Sequence, residues 1–243
     1  MMYLTNASLL DIVKKQLFFK VRAYYGTFTS LATVQAIALL FSFNGVGQMG
    51  LGGSVSITTY SGSVIFVFTA FWAVITAITL STKPYHYIDF SFVTNRMSSH
   101  LSTIGMLIIY SFIASITSTF AGILLRVILY FNGSNKIIAN HFFLPFSDML
   151  VGIYVGTLYL LLFATLGYLI GMFTQINKLF GFAIPAFVIG WAIYEIRSFD
   201  TFTGFTFFAH ESSILVFTLK IIVTVAVMTW IVIAATNRLE VRK

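Results

Sequence analysis

Residue types that could do chemistry are few in this chain and widely spaced. Gly45, Gly47 and Gly50 stand in G-x-G-x-x-G order, the spacing of a loop that cradles a dinucleotide pyrophosphate. That chemistry needs a strand before the glycines, a helix after them and an acidic residue about 20 positions on. The next acidic residue here is Asp89, and an apolar segment intervenes, so the sequence argues against a dinucleotide site and for an outer loop of flexible, tight turns. His86, His100, His141 and His210 form no ligand pair, and His210-Glu211 lacks the second histidine that H-E-x-x-H requires, because position 214 is Ile214. There is no cysteine, which excludes disulfides, thiolate metal sites and thiol nucleophiles. No G-x-S-G motif accompanies a buried histidine, so an intramembrane protease is not expected.

The elements that would have to position any site are set by composition. Of 243 residues, 58% are hydrophobic and 9% charged, and 27 are Phe. Mean hydropathy is +0.94. A water-soluble fold of this size carries about a quarter charged residues, so lipid must cover this apolar surface. The chain reads as an all-α, multi-pass membrane protein. Six apolar spans of about 20 residues are predicted at 27–45, 60–80, 102–131, 149–174, 179–196 and 213–236. The third is long enough to tilt, and Pro185 invites a kink in the fifth. No apolar core followed by a small-residue cleavage site opens the chain, so no cleaved leader is expected.

Orientation follows from the basic residues. With both termini inside, the inner connections hold Lys14, Lys15, Lys20, Arg22, Lys83, Arg96, Lys178, Arg238, Arg242 and Lys243, against Lys136 and Arg197 outside. The net charge of +7 is accounted for by this bias, and nucleic acid is not expected as a partner. The organisation is then one membrane domain: a cytoplasmic helix at 1–26, a six-span bundle at 27–236 and a short tail at 237–243.

The segment before the first span repeats Leu9, Leu10, Val13, Leu17 and Val21 at near-helical spacing, interrupted by Asp11, Lys14, Lys15 and Arg22. This predicts a basic amphipathic helix in the lipid interface, serving either as an anchor to anionic lipid or as a lever on a cytosolic partner. The connection from Ser81 to Ser102 is the most structured of the polar stretches. Pro84 ends the second span, and a short helix is expected from Ile88 with Asp89 at its positive end. Tyr85, Tyr87, Phe90 and Phe92 lie within eight residues of one another, suited to a headgroup layer or to a protein groove. Arg96 and His100 are four apart and can share a helix face.

This layout resembles the ABC-2 type transporter permeases, the membrane subunits of ATP-driven exporters. The runs DFSFVTNRMSSHLS (89–102) and LGYLIGMFTQINKLFGFAIP (166–185) are similar to segments of bacterial permeases of the peptide and bacteriocin-type systems. The resemblance implies a bacterial plasma-membrane location, a second permease subunit, and a separate cytosolic ATPase. It implies that Tyr87, Asp89, Phe90, Phe92, Asn95 and Arg96 form a coupling helix that docks in a groove of that ATPase. It also implies partly re-entrant backbone near Ser198 to Ser212. The cargo it implies is a small hydrophobic or amphipathic compound. The chain itself has no Gly-Lys dipeptide and so no phosphate-cradling G-x-x-x-x-G-K-[ST] loop. ATP and Mg would be bound by the partner, and no cofactor is expected here. The runner-up readings are an ion-gradient-driven transporter, although none of the seven acidic residues falls at mid-span, and a peptide immunity or sensing protein.

Within the bundle, Gly152 and Gly156, and Gly167 and Gly171, stand four apart on the fourth span, where small residues let backbones approach. They mark either a seam between subunits or packing within one chain. Ser111, Ser115, Ser118 and Thr119 could hydrogen-bond across helices. Arg126 and Lys220 are the intramembrane charges. A charge at mid-bilayer costs about 2.5–3.5 kcal/mol on insertion scales, unless its stem snorkels to the headgroups. Lys220, roughly 10 Å into its span at 1.5 Å per residue, is expected to snorkel or to face an outward vestibule with Glu195 or Glu211 and line a transport path.

Overall fold

A computed structural model describes residues 9–43, 47–51, 55–59, 61–82, 96–131, 145–199, 206–208, 211 and 213–239. Its helices are α1 (Leu9–Ala23), α2 (Gly26–Ser42), α3 (Ser63–Leu80), α4 (Arg96–Phe131), α5 (Phe146–Ile176), α6 (Phe180–Phe199) and α7 (Ile214–Leu239). Five of these, α3 to α7, are long and apolar enough to cross a bilayer. The 17 residues of α2 reach about 25 Å at 1.5 Å per residue, short of the ~30 Å hydrocarbon core. α2 makes a sixth span when counted with α1, from which it is bent by 54°. Span ends agree with the sequence reading to within a few residues, except that α4 begins at Arg96, six residues before the expected start.

One short element in this helical fold is a hairpin rather than a helix. Strands β1 (Gly47–Leu51) and β2 (Val55–Thr59) pair antiparallel, with Gly47 opposite Thr59 and Leu51 opposite Val55. The β-branched residues Val55, Ile57, Thr58 and Thr59 favour the extended backbone on one arm. Gly47 and Gly50, expected in a flexible loop, lie inside β1. They therefore do not occupy the strand-to-helix turn that a dinucleotide loop requires.

The other helices gather round α5, which packs against α3, α4, α6 and α7, while α2 lies on α3 and α4 and α1 lies on α4. The main core joins Leu31 of α2, Trp72 and Ala77 of α3, Leu107 and Tyr110 of α4, Leu160 and Tyr168 of α5 and Val232 of α7. With little hydrophobic drive between helices in lipid, close packing and interhelical hydrogen bonds must hold them, and both are present. Gln35 Nε2 on α2 donates to Thr117 Oγ1 on α4 at 3.0 Å and to Thr69 Oγ1 on α3 at 3.3 Å. Trp72 Nε1 donates to Ser30 Oγ at 2.9 Å, tying α3 to α2. Ser115 Oγ donates to the Ile153 carbonyl at 2.8 Å, tying α4 to α5.

The turn from α5 to α6 is set by Asn177, whose Oδ1 accepts from the Leu179 amide at 3.1 Å. α6 runs through Pro185 as one helix. The proline lies near the N-terminus, where it removes only one early intrahelical bond. No residue of the apolar window Phe180–Arg197 is buried, so α6 offers nearly its whole circumference to lipid or to another protein.

Candidate functional site

Two polar clusters stand at opposite ends of the bundle. The first is at the base, where α1, the end of α3, the start of α4 and the end of α5 meet. The first turns of α4 read Ser98, Ser99, His100, Ser102 and Thr103, and all five side chains are buried. Lys20 of α1 is 4% exposed. Its Nζ donates to Thr103 Oγ1 at 2.8 Å and to the Ser99 carbonyl at 3.4 Å. His100 Nδ1 and the Tyr168 hydroxyl of α5 are hydrogen-bonded at 2.6 Å. Gln175 Nε2, one turn beyond Gly171, donates to the Ser81 carbonyl at the end of α3. The base is thus a polar seat between apolar helices, with a hydrogen-bonded link from each of α1, α3 and α5.

The apolar stripe of α1 is spent on protein. Leu17 and Val21 pack against the main core, and Leu17 Cδ1 lies 3.4 Å from where a Cβ on Gly105 would stand. Leu10, counted with that stripe in the sequence reading, is 73% exposed instead. The outward side carries Lys14, Lys15, Phe18 and Arg22. Tyr110 Oη donates to the Tyr24 carbonyl at 3.3 Å, and the Tyr110 ring meets Phe28 edge-on at 5.1 Å, so α4 braces the bend between α1 and α2.

Of the expected coupling-helix residues, Tyr87, Asp89, Phe90, Phe92 and Asn95 lie outside the described residues. Arg96 is the first residue of α4. His100, expected to share a surface with Arg96, points into the bundle against Tyr168.

The glycines of α5 sort by partner. A Cβ on Gly167 would stand 2.5 Å from the Val74 carbonyl oxygen, and one on Gly171 would stand 2.6 Å from Ser81 Cβ, so this pair fits against α3. A Cβ on Gly156 would stand 2.6 Å from Ser115 Oγ of α4, and one on Gly152 would meet nothing within 4 Å. Three of the four are therefore occupied by packing within the chain.

The second cluster is at the far end, around Lys220 of α7. Its Nζ makes an ion pair with Glu211. It donates to the Phe207 carbonyl at 3.2 Å and lies 4.1 Å from the centre of the Phe207 ring. The ammonium is thus drawn back past the start of α7, and its partner is Glu211 rather than Glu195. Residues 206–208 form one helical turn, which this contact fastens to α7. Tyr154 and Thr218 hydroxyls, 3.0 Å apart, join α5 to α7 nearby. Arg126 is exposed on α4, off the core. Among the described residues no three His, Asp or Glu side chains gather as a metal site would require.

Sequence reading missed the base cluster. The signal available was Gln16 and Lys20, two polar residues four apart on the same helix face as Leu17 and Val21. No protein-family model matches this chain, and neither does any curated protein or solved structure.

Proposed function

We propose that this chain is a membrane-spanning permease subunit of an ATP-driven exporter of the ABC-2 type, in a bacterial plasma membrane with both termini inside. A separate cytosolic ATPase would bind ATP and Mg, and a second permease subunit, identical or different, would complete the translocator. The base of the bundle is then its cytoplasmic end.

The observation that carries the reading is the construction of that base. The connection 83–95 precedes α4 in the sequence, and the first turns of α4 are bonded to α1 through Lys20 and to α5 through Tyr168. A load applied to the connection by a docked protein reaches α1, α4 and α5 together. Tyr87, Asp89, Phe90, Phe92, Asn95 and Arg96 would supply the docking surface. The unburied α6 supports pairing with a second subunit, since a helix with no buried residue in its apolar window has room for one. A small hydrophobic or amphipathic cargo suits a bundle whose interior linkers are amides and hydroxyls such as Gln35, Thr69 and Thr117. Lys220, paired with Glu211, would act at the outer mouth.

Reconstitution tests this. The chain is placed in nanodiscs with each ATPase of its own genome that lacks a fused membrane domain. Under this reading, one of them hydrolyses ATP faster when the chain is present. Equal rates with and without the chain for every ATPase would remove the reading and leave an ion-gradient-driven transporter as the one to test.

A further inference from the structure

The seat of α1 on α4 contains a contradiction. Gln16 is 2% exposed, and neither its Oε1 nor its Nε2 has a hydrogen-bond partner among the described residues. It sits one turn before Lys20 on the face that meets Ser99 and Thr103. A buried amide with no partner opposes the state that buries it. Release would cost Lys20 its bonds to Thr103 and the Ser99 carbonyl, and the bilayer offsets part of that cost. In a bilayer Leu17 and Val21 can exchange α4 for acyl chains without entering water. Lys20 can carry its ammonium to the headgroups on its own stem. There Gln16 finds donors and acceptors. The arm would turn where α1 and α2 meet at 54°, at Tyr24 and Tyr25, and turning there gives up the Tyr110 bond to the Tyr24 carbonyl.

We propose that α1 is a hinged arm. It alternates between the seat on α4 seen here and a position in the headgroup plane, and Gln16 is the residue that keeps the seat from becoming permanent. The two readings of the apolar stripe, against protein and against lipid, are then the two states of one helix. The proposal goes beyond the exporter reading and needs only that the chain spans a bilayer.

The test is amide hydrogen exchange on the full chain in nanodiscs of zwitterionic and anionic phospholipid. Gln16→Leu and Gln16→Met remove the unpartnered amide and keep the bulk. Both are expected to slow exchange across 9–23 by about tenfold or more, the effect of relieving one buried unsatisfied group, while α3 and α5 stay unchanged. Unchanged or faster exchange at 9–23 in both variants would overturn the arm. If neither variant folds, spin labels on Phe18→Cys and Ile108→Cys decide with Gln16 intact, since the chain has no other cysteine. Two distance populations support the arm, and a single one overturns it.

Discussion

Substituting Gly167 by alanine should cost more than any other methyl group added to α5. The new Cβ would stand 2.5 Å from the Val74 carbonyl oxygen, 2.9 Å from Val74 Cα and 3.1 Å from Ala77 Cβ. Two of these three atoms are backbone, so no side-chain rotation relieves the clash, and α3 and α5 must separate by several tenths of an ångström. Overpacking of this kind costs about 1–3 kcal/mol, against a gain of up to about 1 kcal/mol from replacing glycine in a helix. The separation also stretches the Gln175 bond to Ser81 at the base of the same pair. Gly152→Ala is the internal control, because nothing lies within 4 Å of its added methyl and only the propensity gain remains. Gly156→Ala should fall between, since Ser115 can turn away at the loss of its 2.8 Å bond to Ile153. At about 2–4 °C per kcal/mol for a chain of this size, Gly167→Ala should lower the melting midpoint in detergent by a few degrees while Gly152→Ala holds or raises it. Equal midpoints for the two variants would refute the assignment of Gly167 to the α3–α5 contact.

Lys220→Ala should release the turn at 206–208 from α7, so that a cysteine placed at Phe207 reacts several-fold faster with a membrane-impermeant maleimide. The exchanged pair Lys220→Glu with Glu211→Lys should leave the rate fast, because a carboxylate at 220 cannot donate to the Phe207 carbonyl. Tyr168→Phe removes the 2.6 Å bond to His100 and should destabilise the chain by about 1 kcal/mol, the net worth of one such bond, read as a lower melting midpoint. Gln35→Ala removes the amide shared by α3 and α4. It should cost about as much, since Thr69 and Thr117 keep their own intrahelical bonds to Ile65 and Ile113 and are not left unsatisfied.

The spans were legible because bilayer thickness imposes their length and apolar character, and both are written in the local sequence. What lies between helices was less so. Lipid and protein interior ask for the same residues, so the stripe of Leu17 and Val21 gave no sign that it faces α4. The glycine pair Gly167 and Gly171 announced a close approach, but a spacing of four cannot name α3 as the neighbour. Ser98 to Thr103 read as a polar lead into a span. Their partners come from far along the chain: Thr103 meets Lys20, 83 residues away, and His100 meets Tyr168, 68 residues away. The hairpin was hidden because Gly47 and Gly50 weaken the strand signal on its first arm, leaving only the β-branched run beginning at Val55. Lys220 stood out in the sequence as a charge within a span, but its two candidate partners could be separated only by the path of the chain between α6 and α7.

The most direct test of the exporter reading is recovery of a complex. The chain is expressed with the stand-alone ATPases of its own genome, purified from the membrane, and compared with Asp89→Ala, Phe92→Ala and Arg96→Ala. The account predicts one ATPase that co-purifies in stable proportion with the native chain and is weakened or lost with those substitutions. An ATPase that co-purifies equally with all three variants would contradict the docking surface, and the recovery of none in any detergent or nanodisc would contradict the exporter itself.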